Sequence, residues 1–167
     1  MQSDTSIIFA RCHERHFAVS RMNPHTQACE DIVPPCIDRR YADFAPHPSD
    51  SSLILAVEEE HAPKDVYNRL VCLSESRVHT LHQGHSFYAY PRISPCGSFV
   101  AWVTWDHPSM PFWSSQLWVA SLLREPVPHI SEPVLVAGGH ETVAQQPVWI
   151  PGTNTLLFTM SSVQEAG

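Results

Sequence analysis

Ser94-Pro-Cys-Gly-Ser-Phe99-Val-Ala-Trp-Val-Thr-Trp105 is a turn that runs straight into a strand. Pro95 presets φ, and Gly97 tolerates turn geometry. Along the strand, Phe99, Ala101, Val103 and Trp105 point to one face and Val100, Trp102 and Thr104 to the other. Both faces are largely apolar. A strand with one side in water would be polar on that side, so this one is predicted to lie between two other layers.

The same pattern surrounds two further turns, Pro48-Ser-Asp50 and Pro151-Gly-Thr-Asn154, so the chain is repetitive. After each anchoring proline comes an apolar pair in the same register: Leu53 and Leu55, Val100 and Trp102, Leu156 and Phe158. Leu70 and Leu117 then stand equally far beyond Pro48 and Pro95, inside Asn68–Leu73 and Gln116–Leu122, which read as the next strands. Short strands near Val78–Leu81 and Val134–Val136 close each unit. Repeats of about 40–50 residues, with four strands each and burial on both faces, predict β-propeller blades rather than a sandwich.

The expected organisation is one all-β unit, an incomplete β-propeller made of an open arc of four-stranded antiparallel blades. Whole blades span 41–88 and 89–143. Residues 1–40 read as the back of an earlier blade, with strands at Ile7–Ala10, His16–Ser20 and Ala28–Val33, and residues 144–167 as the front of a truncated one. Such an arc would expose apolar end blades and self-associate, because no polar capping face is visible at either end.

Composition agrees. Fifteen prolines, six glycines and only 16% charged residues suit short strands and turns, and 43% hydrophobic residues suffice for a core. The formal charge of −7 offers no electrostatic footprint for nucleic acid or for an anionic membrane. The apolar run Ile7–Ala10 is far too short for a signal-peptide core or a membrane span. Five cysteines without CxxC spacing, and no Asn-x-Ser/Thr site, fit reduced thiols in the cytoplasm.

The stretch Phe87-Tyr-Ala-Tyr-Pro-Arg-Ile-Ser-Pro-Cys-Gly-Ser-Phe-Val-Ala-Trp-Val-Thr-Trp-Asp-His-Pro-Ser-Met-Pro-Phe112, continued by Gln116-Leu-Trp-Val-Ala120, resembles the propeller of the prolyl oligopeptidase group of serine peptidases. The resemblance is to its acylaminoacyl-peptidase-like and dipeptidyl-peptidase-like branch, with a TolB/WD40-like fold. Arg40–Phe44, Glu60-His61, Val66–Leu70 and Gln146–Trp149 support it. It implies a larger protein in which the propeller covers or gates an α/β-hydrolase domain and filters peptide substrates. The expected partners are therefore that domain or a peptide. The other readings are a stand-alone protein-binding scaffold and a truncated product without function. No catalytic residue carries over: a nucleophile elbow needs Gly-x-Ser-x-Gly, and Gly84-His-Ser-Phe-Tyr88 lacks the second glycine. The chain is expected not to be an enzyme as it stands, and to use no cofactor.

The candidate contact residues are Glu60, His61, Asp106, His107 and Trp113. Glu60-His61 and Asp106-His107 follow the second strands of successive blades, and loops of a meander alternate between its ends, so both acid–His pairs should share a propeller face. There the acids could hold a ligand amine. Alternatively, Glu58-Glu59-Glu60 is a solvated strand end, and Asp106 and His107 bond backbone groups of their own loop. Trp113, beside Met110-Pro-Phe112, is an expected contact, whereas Trp102, Trp118 and Trp149 belong to the core. The clusters Cys12/His13/His16 and His79/His82/His85 supply no convergent zinc set, since three-residue spacing along a strand alternates sides.

Overall fold

The computed structural model describes residues 5–74 and 76–162, so the outermost residues of both expected end units lie outside it. Among the described residues every element is a strand, and the strands form four antiparallel sheets in chain order. The first contains β1 (Ile7–His13), β2 (His16–Met22) and β3 (Cys29–Cys36). The second is β4 (Arg39–His47), β5 (Asp50–His61), β6 (Val66–Ser74) and β7 (Arg77–Gln83). The third begins with β8 (Phe87–Ile93), β9 (Phe99–Trp105) and β10 (Gln116–Leu123). Its outer strand is split into β11 (His129–Ile130) and β12 (Val134–Gly138), both paired with β10. The last sheet is β13 (Thr142–Trp149) with β14 (Leu156–Ser162).

The sheets stack as an open arc of propeller blades. Each anchoring proline starts the turn between the first and second strands of its sheet. The first strands β4, β8 and β13 line up along the arc, and each also packs on the middle strands of the preceding sheet, β8 on β5 and β6, β13 on β9 and β10. Since β4 packs in the same way on β1 and β2, those two hold the second and third positions of their blade.

Three apolar layers lie between the four sheets, and alternation feeds them. Ile54 and Ala56 of β5 enter the first layer with Val19, Val33 and Val71. Leu53 and Leu55 enter the second, with Leu70, Val100 and Trp102. Ala101 and Val103 of β9 turn to the third, with Leu117 and Ala144. Residues 100–104 are fully buried, which is the double-sided burial that the apolar alternation requires.

Each first strand carries a bulge that no glycine announces. Asp43, Tyr90 and Gln146 have φ of 54°, 54° and 55°, and each stands five residues ahead of its anchoring proline. The extra residue breaks the pairing register of each strand at that point, bending it where the blades converge.

The outer strand of the third sheet is interrupted where Pro133 cannot donate a ladder hydrogen bond. Ser131 bridges the gap by donating its N–H to Ser121 O and accepting Ser121 N–H on its hydroxyl, both at 3.0 Å.

The first sheet is polar in part on its outer side, while Ile7 is 46% exposed, as expected of an apolar end. Val19 faces inward, so Ser20 faces away from the arc, and there it is covered by an ionic lattice. Arg11 Nη2 reaches both Asp31 oxygens at 2.9 and 2.8 Å, while the Ser20 hydroxyl accepts from Arg11 Nε at 2.9 Å and donates to Asp31 at 2.8 Å. Among the described residues the last sheet has no such cover: the paired residues Val148 and Leu157 are exposed.

Candidate functional site

Loops after the second and fourth strands of a four-stranded meander emerge at the same end. Residues 62–65 (β5–β6), 84–86 (β7–β8) and the start of 106–115 (β9–β10) accordingly frame one open groove of about 1210 Å³ between the second and third blades. Its walls include His61, Lys64, Tyr67, Arg69, Phe87 and His107. His61 and His107 thus share a face and a groove. Glu60 and Asp106 do not line it, and Trp113 stands apart in the β9–β10 loop.

The acidic run is not a solvated strand end. Antiparallel register sets Arg39 opposite Glu60, Arg40 opposite Glu59 and Tyr41 opposite Glu58, with Arg69 facing Glu58 from the other side. Glu58 is only 2% exposed; it accepts a hydrogen bond from Tyr41 Oη at 2.8 Å and pairs with Arg69 at 2.9 Å. Glu60 pairs with Arg69 at 2.7 Å and Arg39 at 3.4 Å. Glu59 pairs with Arg40 at 3.0 Å and contacts His61. A buried carboxylate needs such compensation. The Arg69 hydrogen bond holds the Glu60 carboxyl below its ordinary range. Burial opposes ionisation of Glu59, but His61 and Arg40 outweigh it and lower its pKa as well. Burial, reinforced by the Glu58 charge, pushes the Tyr41 phenol up. These acids have their cations already, so they do not stand ready for a ligand amine.

The Asp106 side chain bonds the neighbouring β7–β8 loop rather than its own. Its carboxylate takes His85 Nδ1 at 2.7 Å and the Ser86 N–H at 2.6 Å, both from the β7–β8 loop. Burial works against its ionisation, yet these two bonds prevail and the carboxyl is held below its usual range. Asn68 Nδ2 donates to Ser86 O at 2.7 Å, so the loop is tied on both sides and the groove is pre-formed. His107 packs edge-on against Phe87, which itself stacks on Trp105 at 5.2 Å.

His82 and His85 are brought together rather than separated. Gly84, at φ 113°, reverses the chain after β7, and the two rings stack with centroids 5.8 Å apart. His82 lies against Trp102 and bonds Tyr88 Oη at 2.9 Å. Burial, then the neighbouring His85, lowers its pKa. Among the described residues no group of three or more His, Cys, Asp or Glu side chains converges as a metal site.

Trp102 is fully buried, and Trp118 and Trp149 pack against the layers. Trp113 is 59% exposed and meets Phe112 edge-on at 5.6 Å. The loop carrying them is anchored by Gln145 Nε2, which donates to Pro111 O at 2.6 Å. Sequence reasoning missed Lys64, Tyr67 and Phe87 as groove residues. The signal for Lys64 and Tyr67 was available in their position just after Glu60-His61.

Solved structures align with nearly all of the chain. A puromycin-hydrolysing peptidase from Mycobacterium tuberculosis is 25% identical at a TM-score of 0.78, with 93% of this chain covering 25% of that one. The likeness is to the propeller part of prolyl oligopeptidase-group peptidases. A puromycin hydrolase gives 23% identity and a TM-score of 0.75, again over 93% of this chain and 25% of that one. Prolyl oligopeptidase B from Galerina marginata shares the fold at 10% identity and a TM-score of 0.59, with 93% and 23% covered. The chain therefore spans about a quarter of the length of these peptidases. No protein-family profile and no curated protein matches the sequence. Among the described residues no helix is long and apolar enough to cross a membrane.

Proposed function

We propose that this chain serves as the propeller segment of a prolyl-oligopeptidase-like serine peptidase, where it shields the active site and admits or orients peptide substrates without itself catalysing their hydrolysis. The observation that carries this reading is the alignment of 93% of the chain, at a TM-score of 0.78, with one quarter of a puromycin-hydrolysing peptidase. A rigid blade arc suits such a role, because its loops stand on a packed scaffold and can present a fixed opening. The five free thiols favour a cytoplasmic setting.

A chimaera tests the proposal directly. Residues 5–162 replace the aligned quarter of the mycobacterial peptidase, and hydrolysis of puromycin and of longer peptides is measured. A folded, active chimaera with changed size selectivity is expected, while the chain alone should hydrolyse neither acylated amino-acid esters nor dipeptide esters. Activity of the isolated chain that a serine-directed inhibitor abolishes would overturn the non-catalytic role. A folded hydrolase domain that cannot work with this propeller would overturn the rest.

A further inference from the structure

The groove-lining side chains left without a partner among the described residues can all donate a hydrogen bond, and one of them, Lys64, is a cation. Of the carboxylates there, Glu59 is held by Arg40 and His61, and Asp106, just behind the wall, is held by His85 and Ser86. Arg69 is likewise occupied, by Glu58 and Glu60. Four lining side chains have no hydrogen-bond or ionic partner among the described residues: Lys64, Tyr67, Gln83 and His107. Tyr67 meets Arg69 only through its ring face, and His107 meets Phe87 only through its ring. Asp65 is the exception in sign; it accepts the N–H of Val66 at 2.8 Å and has no cationic partner.

We infer that this groove binds a peptide through a carboxylate, with Lys64 as its counter-ion, Tyr67 and His107 as further donors and the Phe87 ring as an apolar wall. The sign follows from accounting for each charge: Glu59 is held by Arg40 and His61, and Asp65, the one lining carboxylate without a cation, already accepts the Val66 N–H, whereas Lys64 has no partner among the described residues, so a carboxylate meets a free ammonium beside further donors. The walls need no rearrangement, since Asn68–Ser86 and Ser86–Asp106 bonds already fix them. The inference rests on the peptide-handling reading above and narrows it to a ligand chemistry. That carboxylate is either an acidic side chain or a peptide C-terminus.

Three peptides of equal length distinguish the sources: a neutral one with a free C-terminus, an amidated one with two aspartates, and an amidated one with two lysines. Each is titrated into the full chain by calorimetry at physiological salt. Binding of the first, the second or both supports the inference and names the source. Lys64→Glu should weaken that binding by about tenfold, and Asp65→Asn should tighten it severalfold, with unchanged circular dichroism melts. Equal or tighter binding of the lysine peptide, no binding of any peptide, or indifference to Lys64→Glu in a folded variant overturns it. An active chimaera whose groove binds none of the peptides would remove this inference and leave the peptidase reading standing.

Discussion

Asp43 on the first strand of one blade accepts the main-chain N–H of Tyr90, the residue in the same bulge position on the next blade. It also reaches Arg92 Nη1 at 3.3 Å. One bulge thus orients the next. Arg92 O in turn accepts Trp149 Nε1 at 2.9 Å, from the first strand of the last sheet. The inner edge of the arc is held by polar links of this kind, while the layers between the sheets are apolar.

Asp43→Ala removes the acceptor and leaves Tyr90 N–H without a partner, so we expect a loss of about 1–3 kcal/mol in urea unfolding. Asp43→Val should cost more, because a β-branched residue is strained at this positive φ. Equal stability of wild type and both variants would show that the link contributes nothing.

Glu58 and Glu60 are separated by burial. Glu58→Ala strands the Tyr41 hydroxyl and part of the Arg69 charge inside the sheet and should cost about 3 kcal/mol or more. Glu60→Ala, nearer water, should cost about 1 kcal/mol or less. The reverse order in denaturant melts would contradict the buried ion-pair network.

Acid should destabilise the protein through the same strands. Glu59 and Glu60 have folded pKa values below their ordinary 4.5. A depressed folded pKa means the unfolded chain binds protons first, so the stabilisation is fully present above that ordinary value and is lost as pH falls through the folded one. The double variant Glu59→Gln, Glu60→Gln should flatten the acid limb of a stability–pH curve. An unchanged slope would show that these carboxylates do not report folding.

The thiols should divide sharply under alkylation. Burial pushes the Cys72 thiol up to about 12, so it should stay unmodified until the protein unfolds. Cys96 is exposed, and the Ser94 hydroxyl and the Ser98 N–H favour its thiolate. It should react fastest when labelling is followed by peptide mass spectrometry. Rapid labelling of Cys72 in the native state would show that the layer between the second and third blades opens.

The uncovered last sheet should drive self-association. Val148 is 54% and Leu157 55% exposed as a directly opposed pair, and β14, which carries Leu157, has an outer edge that is unpaired among the described residues. Light scattering of the isolated chain should show concentration-dependent oligomers that Leu157→Lys reduces. A stable monomer that unfolds cooperatively and binds no hydrophobic dye would mean that the end is covered.

Sequence alone determined what depends on near neighbours. The alternation from Phe99 to Trp105 fixes which side chains share a face, and apolarity on both faces already requires a layer on each side. Pro48, Pro95 and Pro151 mark the turns because proline restricts its own backbone wherever it stands. The left-handed bulge residues Asp43, Tyr90 and Gln146 are not legible in the sequence because none is glycine, and only the pairing of each first strand with its neighbour reveals the register shift there. Only the tertiary structure decided the chemistry of the charges. Glu58-Glu59-Glu60 looks free in the sequence because its cations come from Arg39, Arg40 and Arg69 on neighbouring strands, and strand register selects them. Asp106 likewise finds its partners in His85 and Ser86, a whole strand pair away along the chain. Side-chain period is a local property of the backbone, whereas the compensation of a charge depends on which distant strand the fold sets beside it.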